Sequence, residues 1–352
     1  MQFSYPLDES DFKLIEPYTY ICESSGKGFR NALIKSFDYW LKVGDKKVEE
    51  ISQVIQGLHG ASLLYVILDD LNNNNNNNNY NNNNNNDNIN DGNNNYQSYD
   101  DEININNSNY FNNNYNNRID DIEDNSKLRR GKPVAHSIYG IPQSINSANF
   151  VYFLMMDQCN KLGDPKATTI FIEEVIRLHR GQGYDIFWRD TNTCPSEAQY
   201  MSMVNEKTGG LFRLGLRLLQ AFSDNATNYI DLVEDLGMYY QIRDDLINLV
   251  SIDYQQNKSF CEDISEGKFS FPIIHAINAD LNDNRLLRIL KQKTEDRSIK
   301  EHALEFIKSK GSLEYTEKKL VALKEKIIKQ INDLGGNPIL MKLMEHLENS
   351  SI

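Results

Sequence analysis

Asp120-Asp121-Ile122-Glu123-Asp124 and Asp244-Asp245-Leu246-Ile247-Asn248 are two acidic clusters standing far apart in the chain. Read as helix, each places its first and last members on one face: Asp120 with Asp124, and Asp244 with Asn248. Carboxylates at that spacing repel each other unless a cation lies between them. Hard oxygen donors favour Mg²⁺, which keeps part of its octahedron for water and substrate phosphate. Two such clusters facing each other describe a three-magnesium clamp for a diphosphate. A helical bundle, expected because strand-type alternation is scarce in the chain, suits this chemistry, since inward faces of opposed helices can build a metal site. The competing reading is a pair of solvated acidic faces.

The neighbouring residues decide between the two. After the first cluster comes Asn125-Ser126-Lys127-Leu128-Arg129-Arg130-Gly131-Lys132-Pro133, which on a continued helix sets two arginines within about two turns of the carboxylates. Guanidinium forks bind phosphate bidentately. Gln241-Ile242-Arg243 precedes the second cluster, and Gly181-Gln182-Gly183-Tyr184-Asp185-Ile186-Phe187-Trp188-Arg189-Asp190 lies between the two. In order along the chain, DDIEDNSKLRRGKPVAHSIYG, GQGYDIFWRD, KTGGLF, QIRDD and NKSFCEDISEGKFSFP resemble the trans-prenyltransferases, the short-chain isoprenyl diphosphate synthases, most nearly the eukaryotic geranylgeranyl-forming subgroup. The resemblance runs from about Leu14 to Leu347, with one interruption.

That resemblance implies an all-α isoprenoid-synthase bundle around an apolar cavity, acting by Mg²⁺-dependent head-to-tail condensation of isopentenyl diphosphate with dimethylallyl, geranyl or farnesyl diphosphate. It assigns Asp120 and Asp124 to two metals and Asp244 to a third, with Asp121, Asp245 and Asn248 one layer behind. It matches Lys27, Arg30, His59 and Arg130 to the isopentenyl diphosphate site. Arg129, Lys207, Thr208, Gln241, Lys258 and Lys268 match positions around the allylic diphosphate and its developing cation. Asp185 and Gln182 fit a polar layer behind the second cluster. Gly26-Lys27-Gly28 lacks the spacing and the Ser or Thr of a P-loop.

Composition sets bounds. At 352 residues and 39% hydrophobic, the chain can bury a sizeable core as one large domain. A formal charge of −13 argues against nucleic acid or an anionic membrane surface as the partner. The four cysteines show no C-x-x-C spacing, so neither a zinc site nor a disulfide framework is indicated. No stretch is long and apolar enough for a membrane span, no basic leader opens the chain and no prenylation box closes it, so the expectation is a cytoplasmic protein. A homo-oligomer, dimer or larger, is expected from the resemblance.

Residues 65–118 break the pattern. They are mostly asparagine with scattered Tyr, Asp and Ser, too poor in apolar groups to offset the entropy of ordering, and the expectation is a disordered insertion within the single domain 1–352. Elsewhere apolar residues recur at helical spacing, and Gly and Pro gather at breaks such as 140–142, 163–165 and 335–338. In the family the segment like His59-Gly60-Ala61-Ser62-Leu63-Leu64 runs straight into the first acidic cluster, and side-chain bulk there limits product length. If the insertion loops out, Ala61 and Ser62 take that place and leave room for a geranylgeranyl chain. If the chain enters linearly, Tyr115 comes near it and shortens the product towards farnesyl. Damage to this helix also leaves open a weakly active paralogue serving as a partner subunit.

Overall fold

Residues 3, 5–23, 29–62, 128–129 (backbone alone), 132–250 and 260–349 are described by a computed structural model. Four helices precede the Asn-rich tract: α1 (Glu9–Leu14), α2 (Glu16–Glu23), α3 (Phe29–Leu41) and α4 (Asp45–Ser62). α4 buries Val48, Ile51, Val54, Ile55 and Leu58, the three-to-four recurrence of a helix with one face in the core.

After the tract comes a short hairpin, in which β1 (Leu128–Arg129) pairs antiparallel with β2 (Lys132–Pro133). The helical continuation expected for the two arginines therefore does not hold at Arg129. Gly131 favours a turn, and Pro133 biases Lys132 towards extended backbone. The rest is helical: α5 (Ala135–Tyr139), α6 (Ile141–Asn160), α7 (Pro165–Thr191), α8 (Glu197–Ala221), α9 (Ile230–Val250), α10 (Glu262–Glu266), α11 (Phe271–Asn278), α12 (Arg285–Gln292), α13 (Arg297–Ser309), α14 (Ser312–Asp333) and α15 (Pro338–Asn349). The expected all-α class holds, and the expected breaks fall between α5 and α6, α6 and α7, and α14 and α15.

Local chemistry sets the long helices. Asp164 caps α7 by accepting from the amide of Lys166, Pro165 supplies a preset φ in the first turn, and Asn192 ends the helix in the left-handed region. Ser196 and Gln199 form a reciprocal capping box at the start of α8. α7 packs along α8, α8 along α9, α4 on α6, and α3 on both α4 and α8, so segments from both sides of the tract share one core.

Glycines permit the closest approaches. A Cβ at Gly181 would lie 2.5 Å from the backbone nitrogen of Lys207, and one at Gly237 would lie 3.1 Å from the Cα of Gly209. A buried ion network also spans these helices. Arg213 on α8 donates to Glu174 on α7 through Nε at 2.9 Å and reaches Glu234 on α9 at 3.2 Å, while Arg217 donates to the other Glu174 oxygen at 2.7 Å. Glu174 and Arg213 are almost fully buried, so removing either would strand its partner's charge.

The last described helix returns to α3. Trp40 donates its indole N–H to the carbonyl of Gly336 at 3.0 Å, and Asn337 donates to the carbonyl of Ser36 at 2.8 Å.

Candidate active site

Asp245 is the centre of the described polar site. It lies on α9, is 1% exposed, and accepts four hydrogen bonds, two on each oxygen. Oδ1 receives Gln241 Nε2 at 2.9 Å and Lys268 Nζ at 3.3 Å. Oδ2 receives the Tyr200 hydroxyl at 2.5 Å and the backbone N–H of Phe271, in the first turn of α11, at 2.8 Å. A carboxylate has about four lone-pair positions, and here all are filled. Asp245 therefore joins α8, α9 and α11.

Asp244, next in the chain, is only partly buried and is a hard oxygen donor of the kind magnesium prefers. The donor chemistry fits the ion at this end of α9. The other expected metal ligands, Asp120 and Asp124, lie outside the described residues, as do Lys27, Arg130 and Lys258.

Gln241 links Asp245 to α8. Because a carboxylate only accepts, the Gln241 amide must turn its NH₂ to Asp245, which leaves its oxygen to accept the Thr208 hydroxyl at 2.7 Å. Lys207, adjacent to Thr208, donates to Asp185 on α7 at 2.6 Å. Burial works to raise the Asp185 carboxyl, but Lys207, Arg189 and Lys268 outweigh it and hold the group well below the ordinary carboxylate range. Lys268 stands between Asp245 and Asp263, 3.3 and 3.4 Å away. Burial acts against its charge, yet Asp263, Asp245, Glu266 and Asp185 together lift its pKa well above the usual lysine value.

Thus Lys207, Thr208, Gln241 and Lys268, separated by as many as sixty-one positions (268 − 207) in the chain, gather around one carboxylate network. Arg30 lies in the first turn of α3 and His59 in the last turn of α4, both half-buried, on helices that pack on each other and on α8. Trp188 is a core residue stacked on Tyr184. Sequence reading missed Tyr200 and the N–H of Phe271. Tyr200 lies about two turns before Thr208 on α8, a spacing that marks it only once Thr208 is placed in the site.

The profile of the polyprenyl synthetase family matches residues 118–307, more than half of the chain. The chain belongs to the polyprenyl synthetase family. It is 78% identical over 352 residues, all of this chain and 98% of the relative, to a geranylgeranyl pyrophosphate synthase of Dictyostelium discoideum. It is 43% identical to geranylgeranyl pyrophosphate synthase spyE of Aspergillus fumigatus, covering 96% of this chain and 81% of that one. A terpene synthase of Matsumurasca onukii is 40% identical, covering 96% and 94% respectively. The Dictyostelium match spans the Asn-rich tract as well, so the interruption does not confine the likeness to either side of it. Among the described residues, no helix is long and apolar enough to cross a membrane.

Proposed function

We infer that this chain is an enzyme that condenses isopentenyl diphosphate head to tail with allylic diphosphates to make geranylgeranyl diphosphate. The full-length likeness to the Dictyostelium synthase carries the reading and favours the C20 product over farnesyl diphosphate.

Asp120, Asp124 and Asp244 would hold magnesium, three ions per site in this reading, which would neutralise charge on the leaving diphosphate. The allylic C–O bond breaks with its electron pair going to the departing pyrophosphate. The oxygens of Thr208 and Gln241 and the carbonyl of Lys207 face the developing cation from one side. The isopentenyl double bond then attacks, and the pyrophosphate takes the proton lost as the new double bond forms. Arg129, Lys258 and Lys268 hold the allylic diphosphate; Lys27, Arg30, His59 and Arg130 hold the isopentenyl one. Lys268 has two of its three donors engaged by carboxylates, which leaves one for a phosphate oxygen.

Residues 1–352 form one synthase domain in this reading, with 65–118 as an insertion. None of the four cysteines forms a disulfide, as suits a cytoplasmic protein. Phe153 on α6 and Ile172, Ile176, Tyr184 and Phe187 on α7 are exposed, an apolar surface suited to a second copy. Light scattering of the purified chain tests the dimer. Incubation with dimethylallyl and isopentenyl diphosphates tests the reaction: a C20 diphosphate is expected by chromatography, and a product ending at C15 would overturn the assignment.

A further inference from the structure

The Tyr200 hydroxyl makes the shortest of the four contacts to Asp245, at 2.5 Å, and Tyr200 is itself 1% exposed. Its ring packs against Phe271, with centroids 5.6 Å apart. Burial and the neighbouring Asp245 push its pKa far above the usual tyrosine value, so the phenol keeps its proton and remains a donor throughout the working range.

The donor order follows from this. Asp245 accepts from Tyr200 and from the Gln241 amide, Gln241 accepts from Thr208, and the only hydroxyl hydrogen of Thr208 is thereby spent. The remaining valence of the Thr208 oxygen is lone pairs, the part suited to face a cation. An Asp245 carboxylate free to turn would release the Gln241 NH₂. The amide could then reverse and donate to Thr208, turning the hydroxyl hydrogen towards the reacting carbon. That orientation repels positive charge.

We propose that Tyr200 is a positioning residue for the cation-facing pair: by clamping Asp245 it fixes the amide orientation of Gln241 and directs the lone pairs of Thr208 into the site. The proposal rests on the reading of Thr208 and Gln241 as the cation-facing oxygens. Tyr200 and Thr208 lie about 12 Å apart along α8, at 1.5 Å per residue, too far for direct contact, and the hydrogen-bonded route between them runs through Asp245 and Gln241.

The test is a double-mutant cycle in steady-state turnover, with thermal melts run alongside. Tyr200→Phe keeps the ring and removes only the donor. It should lower kcat about tenfold while leaving KM for both diphosphates within about twofold, because the interaction removed acts in the transition state. Thr208→Val should lower kcat at least as far. The double variant should match Thr208→Val alone to within about twofold, since distant sites without a shared path would instead multiply their effects. Multiplied effects, or a Tyr200→Phe enzyme with wild-type kcat and only a lower melting temperature, would overturn the role of Tyr200. A Thr208→Val enzyme at the wild-type rate would instead overturn the cation-facing reading beneath it.

Poor folding of Tyr200→Phe does not remove the test. The rate ratio between an allylic diphosphate carrying fluorine next to the reacting carbon and its plain counterpart does not depend on how much enzyme is active. That ratio should fall further in Tyr200→Phe than in the wild type, and an unchanged ratio counts against the proposal.

Discussion

Gly181→Ala and Gly183→Ala are a matched pair whose effects should have opposite signs. Both positions are interior to α7, and alanine at either gains about 0.8–1 kcal/mol of helix propensity. A methyl at 183 meets nothing within 4 Å, so that gain is kept. At 181 the new carbon would lie 2.5 Å from Lys207 N, 2.9 Å from Met203 O and 3.0 Å from Glu206 C, all backbone atoms of α8. Ordinary contact begins near 3.4 Å, so the two helices must part locally by about 0.9 Å (3.4 − 2.5). Overpacking of this kind costs about 1–3 kcal/mol, and the ion network around Arg213 resists the separation, so we expect a net loss of up to about 2 kcal/mol. The chemistry should suffer as well. Asp185 lies one turn beyond Gly181, and the same displacement would stretch its 2.6 Å contact with Lys207 towards 3.5 Å (2.6 + 0.9). That exceeds the reach of a charge-assisted hydrogen bond, so turnover should drop about tenfold. Thermal melts and initial rates on both variants check the argument. A Gly181→Ala protein as stable and as active as Gly183→Ala would refute the tight α7–α8 contact as the feature that sets Lys207.

Asp244→Ala should reduce turnover by about two orders of magnitude or more with helical content unchanged, and circular dichroism with magnesium-dependent rates will show whether it does. Arg30→Ala should raise KM for isopentenyl diphosphate more than for the allylic substrate, as initial rates with each diphosphate varied will tell. Asp185 has a folded-state pKa below its unfolded value, so its contribution to stability is present above the ordinary carboxylate range and is lost as pH falls through the folded value. Asp185→Asn should therefore be less stable at neutral pH and flatten the acid limb of the stability profile, measured by denaturant titration across pH. Deleting residues 65–118, which joins Leu64 to Ile119, should leave stability equal or better and the C20 product unchanged, since loop closure over such a length changes slowly; melts and chromatography decide.

The helical class was legible because apolar spacing and the Gly and Pro breaks carry it directly. The gathering of Lys207, Thr208, Gln241 and Lys268 was legible only through the motifs, because nothing local in the sequence brings α8, α9 and the segment before α11 together. Arg129 was misjudged: the charge pattern suggested a continuing helix, while Gly131 and Pro133 favour the hairpin. Tyr200 escaped notice because a tyrosine in an amphipathic helix reads as packing, and its function lies in one hydroxyl. Arg213 and Glu174 escaped for the opposite reason: charged residues read as surface, whereas these two compensate each other in the interior.

The tie between Trp40 and Gly336 joins residues 296 positions apart, and that between Asn337 and Ser36 joins residues 301 apart. On a ribosome adding about 5–20 residues per second, the surface of α3 that receives α15 waits roughly 15–60 s for its partner to be made. During that interval Phe37 and Trp40 have no C-terminal helix to cover them. Closure of this part of the bundle thus waits for residues 336–337 to be made, and chaperone demand should concentrate on the nascent chain's N-terminal helices.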